Sequence, residues 1–446
     1  MIGERETSVE RAYLLQTLSG YWPGRSGAVA ALPIPEAPAV NVEPLPPKGV
    51  DIRLPDWAVL AGVGGCLRIP ERFVCPGEGP RWTRVDWWGS AFWYLGGLAE
   101  RAYEDRHGPV HSYAFRLKGW DGQFWERAWV NRIARFLSLW AAKEQGVPAS
   151  PIPLGRVHLT HDVDAVEKTI AIRLKQASFH LLNAVRLALA GRMKEAFKIS
   201  LRAFRFFFGN DDYWRFKEIM KLEKEHRQVS RFHFYGGLGK RARNLKERFF
   251  DPAYCVSEKR FRPLLKGLLN GGWTVGLHPA YGSWQDSGRM REEKERLEKA
   301  LGGSISASRQ HWLRFSWADT WRALQDAGVR LDTTLGFNDR PGFRGGCALR
   351  YSPWDPQTNA PLEIEAVPMV FMDSHFYDYG ILSDSPCAER IKYWVEEVLT
   401  VGGEASVIWH QRVMSVDYGW GAGYRALLEL LEEPGKPPPA SPECHD

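Results

Sequence analysis

Residues 159–164, L-T-H-D-V-D, place two aspartates two positions apart directly after a short apolar segment. Two carboxylates with this spacing at the end of a strand can take different roles, because one can bind a metal while the other stays free as a base. Asp162 and Asp164 are therefore the first candidates for chemistry. The alternative is a pair of loop aspartates that cap the following helix, since Asp is common at turns.

Three histidines and one arginine occupy comparable positions later in the chain. His278 ends the apolar segment V-G-L-H, and His410 ends V-I-W-H. Arg309 and His311 follow another apolar segment, in R-Q-H-W-L-R. A histidine at the end of a strand is well placed to bind a metal or to act as a general acid or base. Taken singly, each histidine is better explained by a structural role, so the prediction depends on their common position.

The elements that would position these residues begin near residue 156, where short apolar segments start to alternate with helical patterns. This alternation predicts parallel strands with helical crossovers, and seven strands predict a closed or slightly incomplete barrel. The candidate side chains all come just after a strand, which is the rim where parallel barrels build their active sites. The predicted strands are 157–160, 231–235, 273–277, 304–308, 329–333, 362–367 and 405–409.

The remaining chain is predicted to divide into separate regions. Residues 1–50 are predicted to be an N-terminal segment and a proline-rich linker. Residues 51–150, which are rich in Trp and Arg, predict a small α+β accessory domain. The barrel is predicted over residues 155–432, and residues 433–446 are predicted to be a disordered tail because they are proline-rich and polar.

The composition argues against several classes of protein. A formal net charge of +6 over 446 residues is too small to argue for a nucleic-acid partner. The six cysteines form no C-x-x-C pair, which argues against a zinc ribbon or a dense disulfide framework. The sequence shows neither a signal peptide nor an apolar run long enough to span a membrane, so we expect a cytoplasmic protein.

Residues 168–208 form a cationic insertion between the first two predicted strands, with two helices around residues 190–191. Nine Lys or Arg residues and one acidic residue, Glu195, are interspersed with Phe, Leu and Ile. One interpretation is an amphipathic cap that packs on the barrel. The other is docking on an anionic membrane, which would add a peripheral contact with the inner membrane surface.

Over residues 155–430 the chain resembles the polysaccharide deacetylase (NodB homology) family. The resemblance lies in four ordered motifs, T-H-D-V-D, G-L-H, R-Q-H-W-L-R and the final hydrophobic-x-H. D-T-T-L-G-F and G-F-R-G-G, within residues 332–346, resemble a subgroup with an additional N-terminal domain, and residues 85–140 resemble that domain. The resemblance implies an α/β fold, a distorted (β/α)7 barrel preceded by the small α+β domain. It also implies hydrolysis of acetyl groups on sugars with a divalent metal, usually zinc.

The resemblance also implies a role for each matching residue. Asp162 matches the catalytic base, and Arg309 matches the arginine that positions it. Asp164 and His278 match metal ligands, and His410 matches the general acid.

One position departs from the family pattern. The second histidine of the family's H-x-x-x-H metal motif would fall at residue 282, where this chain has glycine. His311 is the predicted replacement, because it lies two residues after Arg309, in the motif that lines the metal side of the pocket in the family. His233, in the middle of a predicted strand, is a weaker candidate. His161 is less favoured, because the alternation of the strand would turn it away from the side of Asp162. The alternative is that His311 only forms hydrogen bonds within the rim and that the site holds no metal.

The sequence therefore predicts a metal-dependent hydrolase that removes acetyl groups from an N-acetylated sugar or a cell-envelope polysaccharide precursor. Two other functions stay open at this point. One is a non-catalytic carbohydrate-binding module on a degenerate barrel, which the glycine at position 282 favours. The other is a different amide hydrolase on the same barrel, such as one that opens cyclic imides.

Overall fold

The computed structural model of this chain describes residues 9–40, 42–238 and 245–432. Its main sheet has eight parallel strands in the order β10-β7-β6-β5-β4-β3-β12-β11. Two antiparallel pairs, β1–β2 and β8–β9, lie outside it. The strands are β1 (Gly49–Arg53), β2 (Cys66–Pro70), β3 (Arg156–Val163), β4 (Arg231–Tyr235), β5 (Thr274–His278), β6 (Ala307–Ser308), β7 (Leu331–Asp332), β8 (Trp354–Asp355), β9 (Ala360–Pro361), β10 (Glu365–Ala366), β11 (Met369–Met372) and β12 (Glu404–Ile408).

The α-helices connect these strands and form the N-terminal region. They are α1 (Val9–Thr17), α2 (Ser26–Ala30), α3 (Trp87–Leu95), α4 (Leu98–His107), α5 (Trp129–Glu144), α6 (Ile170–Leu189), α7 (Met193–Phe208), α8 (Phe216–Glu225), α9 (Leu245–Phe250), α10 (Phe261–Asn270), α11 (Ser287–Leu301), α12 (Thr320–Asp326), α13 (Asp384–Thr400) and α14 (Gly421–Leu431). None of the described helices is long and apolar enough to cross a membrane.

The sheet curls so far that its two edge strands, β10 and β11, belong to one continuous stretch of the chain. β10 pairs with β7, β11 pairs with β12, and only Val367 and Pro368 separate β10 from β11. Proline cannot donate to a strand ladder, so this is where the stretch changes its partner. Counted as one interrupted strand, β10 and β11 complete a ring of seven segments. The predicted α/β class and distorted seven-stranded barrel are confirmed.

Strand β3 shows how the sequence sorts its side chains between the inside and the outside of the barrel. Successive residues point to opposite faces of a strand. Thr160 points inward, where its hydroxyl oxygen accepts a hydrogen bond from Arg309 Nη1 at 2.6 Å. Asp162 also points inward and faces the same guanidinium group. His161 points outward, and its Nε2 lies 2.7 Å from Oε1 of Glu223 on α8.

The N-terminal region shares its apolar core with the barrel. Aromatic residues of α3 and α5 pack in one cluster with Phe315, Trp317 and Trp321, which belong to the segment after β6. A buried ion pair joins Glu100 on α4 to Arg344, with Oε2 and Nη2 at 2.7 Å. The division of the chain into domains stays a prediction, and the predicted tail, 433–446, lies outside the described residues.

A second buried ion pair, between α5 and α13, offers a test of this packing. Arg132 donates to Glu397 from Nε at 2.8 Å and from Nη2 at 2.6 Å, and both side chains are buried. Arg132→Ala would leave the carboxylate of Glu397 buried with a weaker set of partners. We expect it to lower the free energy of unfolding by about 3–5 kcal/mol, measured by chemical denaturation.

Arg330→Ala provides the control for this measurement. Arg330 and Glu363 also form an ion pair, at 3.0 Å, but their side chains are 63% and 76% exposed. Exposed pairs contribute about 0.2–1 kcal/mol. Equal losses of stability in Arg132→Ala and Arg330→Ala would contradict the structural role given to the buried pair.

Candidate active site

All the predicted site residues lie on the rim formed by the carboxyl ends of the parallel strands. Asp162 and Asp164 lie at and just beyond the end of β3, and His278 is the last residue of β5. Arg309 and His311 follow β6. His410 follows β12 by two residues. Because these strand ends share one edge of the sheet, side chains distant in sequence meet there.

Asp164 is at the centre of this group. Its Oδ1 lies 3.2 Å from His278 Nε2 and 3.5 Å from His311 Nε2. Its Oδ2 accepts a hydrogen bond from Arg412 Nη1 at 2.6 Å and lies 3.3 Å from His410 Nε2. Burial raises the pKa of Asp164, but Arg412 and the histidines outweigh it and hold that pKa well below its usual range.

The two imidazoles beside Asp164 Oδ1 present Nε2 toward the same point. Nδ1 of His278 lies 2.7 Å from the carbonyl oxygen of Arg309, which can only accept, so Nδ1 carries the hydrogen in this contact. Nδ1 of His311 lies 3.5 Å from Oδ1 of Asp251. Outer contacts of this kind fix the orientation of metal-binding histidines.

The set Asp164, His278 and His311 fits a divalent metal. The three ligand atoms all lie within 4.8 Å of one another. In a tetrahedral site with ligands at about 2.0–2.2 Å, neighbouring ligand atoms are about 3.3–3.6 Å apart. The two separations from Asp164 Oδ1, 3.2 and 3.5 Å, are close to this range. One carboxylate and two imidazoles are also a donor set of zinc hydrolases. The prediction that His311 would lie close to both Asp164 and His278 agrees with this geometry.

His410 forms a pair with an aspartate that the sequence analysis missed. Asp373 accepts a hydrogen bond from the backbone N–H of His410 at 2.6 Å, and both its oxygens lie 3.0 Å from His410 Nδ1. Burial lowers the pKa of His410, but Asp373 and the contact with Asp164 outweigh it and raise that pKa to about 9. The imidazole is therefore cationic at neutral pH.

Asp162 lies deeper in the barrel, against two basic side chains. Its Oδ1 is 3.7 Å from Arg309 Nη1 and 3.3 Å from His233 Nδ1. Burial raises the pKa of Asp162, but Arg309, His278 and His233 hold it well below the usual range. Asp162 is therefore an ionised carboxylate beside the candidate metal ligands.

Three further residues, Arg412, Asp373 and Asp251, complete the site without having been predicted. Arg412 could have been found, since it lies two residues after His410 and is basic. Asp373 follows β11, a strand that the sequence analysis did not identify. Asp251 follows helix α9, and that position gave no signal for its contact with His311. His233, the weaker candidate for the missing ligand, lies within β4 and contacts Asp162 instead, with Nδ1 3.3 Å from Oδ1.

The rim beside the site has a strained backbone. Trp312 and Leu313 have φ angles of 59° and 47°, which large side chains rarely adopt. The conformation turns the chain directly after His311, and the Trp312 indole N–H donates to the carbonyl of Phe250 at 3.3 Å. Strain of this kind is retained where surrounding contacts hold it, often at functional sites.

No protein-family model matches the chain, and no curated protein gives a significant match. Among solved structures, the chain is similar to one described as a candidate polysaccharide deacetylase from Mycobacterium smegmatis. The identity is 14% and the TM-score 0.37, over 65% of this chain and 88% of that chain.

Two other solved structures are similar. A CE4 family pseudoenzyme from Bacillus anthracis has 11% identity and a TM-score of 0.31, over 65% of this chain and 67% of that chain. A family 4 carbohydrate esterase from Streptomyces lividans, in complex with acetate, has 10% identity and a TM-score of 0.28, over 62% and 87%. At such identities, the activity of this chain has to be argued from its own residues.

The metal site can be tested through its least expected member. His311→Ala removes one of three candidate ligands, so we expect zinc affinity to fall by more than the roughly 10–100-fold that loss of an outer partner costs. Titration calorimetry with zinc on the apoprotein measures this. His107→Ala is the control, because His107 is exposed on α4, away from the rim. Unchanged zinc affinity in His311→Ala would remove His311 from the ligand set.

Proposed function

We propose that this chain is a metal-dependent hydrolase that removes an acetyl group from an N-acetylated sugar or polysaccharide precursor. The observation that carries the proposal is the convergence of Asp164 Oδ1, His278 Nε2 and His311 Nε2 beside an ionised carboxylate and a cationic imidazole. A carboxylate base and an imidazolium acid on the two sides of a metal site are the groups that amide hydrolysis needs.

Zinc is the metal we propose, held by Asp164, His278 and His311. A divalent metal bound there supplies Lewis acidity toward a carbonyl oxygen and toward a water. Arg412 donates a hydrogen bond to Oδ2 of Asp164, so that Oδ1 remains directed toward His278 and His311. In this arrangement the segment after the neighbouring strand β6 supplies the third ligand that a glycine at position 282 cannot.

Asp162 acts as the general base in this proposal. Its ionised carboxylate takes a proton from the water that attacks the acetamide carbonyl carbon. Arg309 positions Asp162 and keeps it ionised, because its buried, positively charged guanidinium lies 3.7 Å from the carboxylate of Asp162.

His410 acts as the general acid. It donates the proton on Nε2 to the departing amine nitrogen as the bond between that nitrogen and the carbonyl carbon breaks. Asp373 holds the imidazole through Nδ1, so that Nε2 points toward Asp164 and the site. The pairs Asp162–Arg309 and His410–Asp373 favour catalysis over a purely sugar-binding role. Binding alone requires neither a positioned general base nor a positioned general acid.

The role of Asp162 can be separated from metal binding. Asp162→Asn preserves shape and leaves Asp164 unchanged, so we expect zinc to be retained and turnover to fall by roughly 10²–10⁴-fold. Mass spectrometry of N-acetylated oligosaccharides, read as loss of one acetyl group per sugar, measures the turnover. Glu363→Gln, at an exposed position, is the control.

Two outcomes of this experiment would count against the proposal. Wild-type turnover in Asp162→Asn would remove the general base from the mechanism. Hydrolysis of a cyclic ureide by the wild-type protein, without loss of acetyl groups from glycans, would replace the deacetylase with a different amide hydrolase.

The contact between Asp373 and His410 predicts a change in pH dependence. Asp373→Asn removes the negative charge that raises the pKa of His410, so the imidazole loses its proton at a lower pH. A general acid works only when protonated, so the alkaline limb of kcat/KM should move to lower pH. A lower kcat/KM with an unmoved alkaline limb would show that Asp373 does not act through His410.

A further inference from the structure

The hairpin formed by α6 and α7 carries an unusual concentration of exposed apolar side chains. Of the 24 large apolar residues that are exposed in the described part of the chain, eleven lie in these two helices. They are Ile170, Leu174, Leu181, Leu182, Val185, Leu189, Met193, Phe197, Leu201, Phe204 and Phe208. Large exposed apolar patches mark sites that interact with another protein, a ligand or a membrane.

The exposed residues of α7 are arranged in two adjacent stripes. Successive members of the apolar stripe are three or four residues apart, so they lie on one face of the helix. They are Met193, Phe197, Leu201, Phe204 and Phe208. The cationic stripe is displaced by about one residue and consists of Lys194, Lys198, Arg202 and Arg205, all exposed.

The side of the hairpin that packs inward has nine buried residues, of which only Leu187, Ile199 and Phe206 are large and apolar. Alanines occupy four of the buried positions, Ala177, Ala184, Ala196 and Ala203. A helical cap on a soluble barrel places its large apolar residues inward and its polar residues outward. Here eleven large apolar residues lie exposed on the outer side and three lie on the buried side, an excess that the cap interpretation does not explain.

Polar contacts fix the inner side of the hairpin to the rim. Lys168 pairs with Asp417, Gln176 Nε2 donates to Asp378 Oδ1 at 3.1 Å, and Asn183 Nδ2 donates to the carbonyl of Asp378 at 3.0 Å. The apolar side therefore faces away from the barrel. Rotating it inward would break these contacts.

The positive charge of the hairpin indicates that its partner is anionic. Residues 168–208 contain nine Lys or Arg residues and one acidic residue, so their formal charge is +8. Glu195 is paired with Arg192. Within the described chain, none of the four cations in the α7 stripe forms a salt bridge, which leaves them available to an anionic surface.

We propose that the α6–α7 hairpin docks on the surface of an anionic lipid bilayer. Its apolar stripes enter the boundary between headgroups and acyl chains, and its cations bind the phosphates around them. A bilayer supplies an apolar phase and negative charge side by side, which matches the two stripes of α7. The hairpin also reaches the candidate active site, since Lys175 Nζ lies 3.4 Å from the ring centroid of Trp312, the residue after His311. The proposal goes beyond the proposed function and does not depend on it.

Vesicle co-sedimentation tests the proposal with the full-length chain. We expect the wild type to bind vesicles of phosphatidylcholine mixed with phosphatidylglycerol, to bind pure phosphatidylcholine far less, and to lose binding as salt is raised. Neutralising one surface lysine should weaken binding about fivefold, which corresponds to about 1 kcal/mol, so Lys194→Gln/Lys198→Gln should lose roughly 25-fold. Phe197→Ser/Phe204→Ser should lose at least tenfold.

Matched changes elsewhere serve as controls. Leu60→Ser/Lys221→Gln alters an apolar residue that is 90% exposed and a lysine side chain that is 78% exposed, both outside the hairpin, and should bind as the wild type does. Thermal unfolding should show all variants equally folded, because every substituted side chain is exposed.

Three results would overturn the proposal. One is equal binding of the wild type to neutral and anionic vesicles, or no binding to either. Another is wild-type binding by both hairpin variants. The third is self-association of the wild type in sedimentation velocity, lost in Phe197→Ser/Phe204→Ser, which would assign the apolar stripe to a second copy of this chain.

Discussion

The buried charge of Arg309 is the constraint on which the barrel and its chemistry both depend. A guanidinium inside a barrel costs several kcal/mol unless its charge and its N–H groups find partners. Thr160, Thr333 and Ser406 accept its hydrogen bonds and come from three different strands or their ends. The charge is balanced by Asp162, which has to stay ionised. The side chain that holds the barrel's interior together therefore also maintains the candidate base.

Asp164 plays the corresponding role at the surface of the rim, because its two oxygens serve different partners. Oδ1 faces His278 and His311, whereas Oδ2 faces Arg412 and His410. Arg412 keeps the carboxylate ionised without covering Oδ1. This division lets one carboxylate join the candidate metal site to the candidate acid. A barrel with glycine at position 282 thereby still brings three candidate ligands together.

Much of this arrangement could be predicted, and the failures have physical reasons. The seven predicted strands exist because each is a short segment with its apolar residues in a run or in alternation, closed by polar, Gly or Pro residues. The eighth strand, β11, was not predicted, because Pro368 directly follows the predicted segment 362–367 and a proline at that position indicates the end of a strand. Asp373, which follows β11, was lost with it. Asp251 could not be predicted, since it follows a helix and reaches His311 only through tertiary packing.

The hairpin shows the same limit in a different form. Sequence periodicity established that α7 is amphipathic, but both of its sides contain apolar residues, and periodicity alone does not tell which side turns inward. The sides differ in the number of large apolar residues, since α7 buries two of them, Ile199 and Phe206, and exposes five. Small residues allow close packing, and large ones provide more apolar area to a partner. The structure shows which side faces the rim, and that orientation turns an ambiguous amphipathic pattern into an outward-facing apolar surface beside the candidate active site.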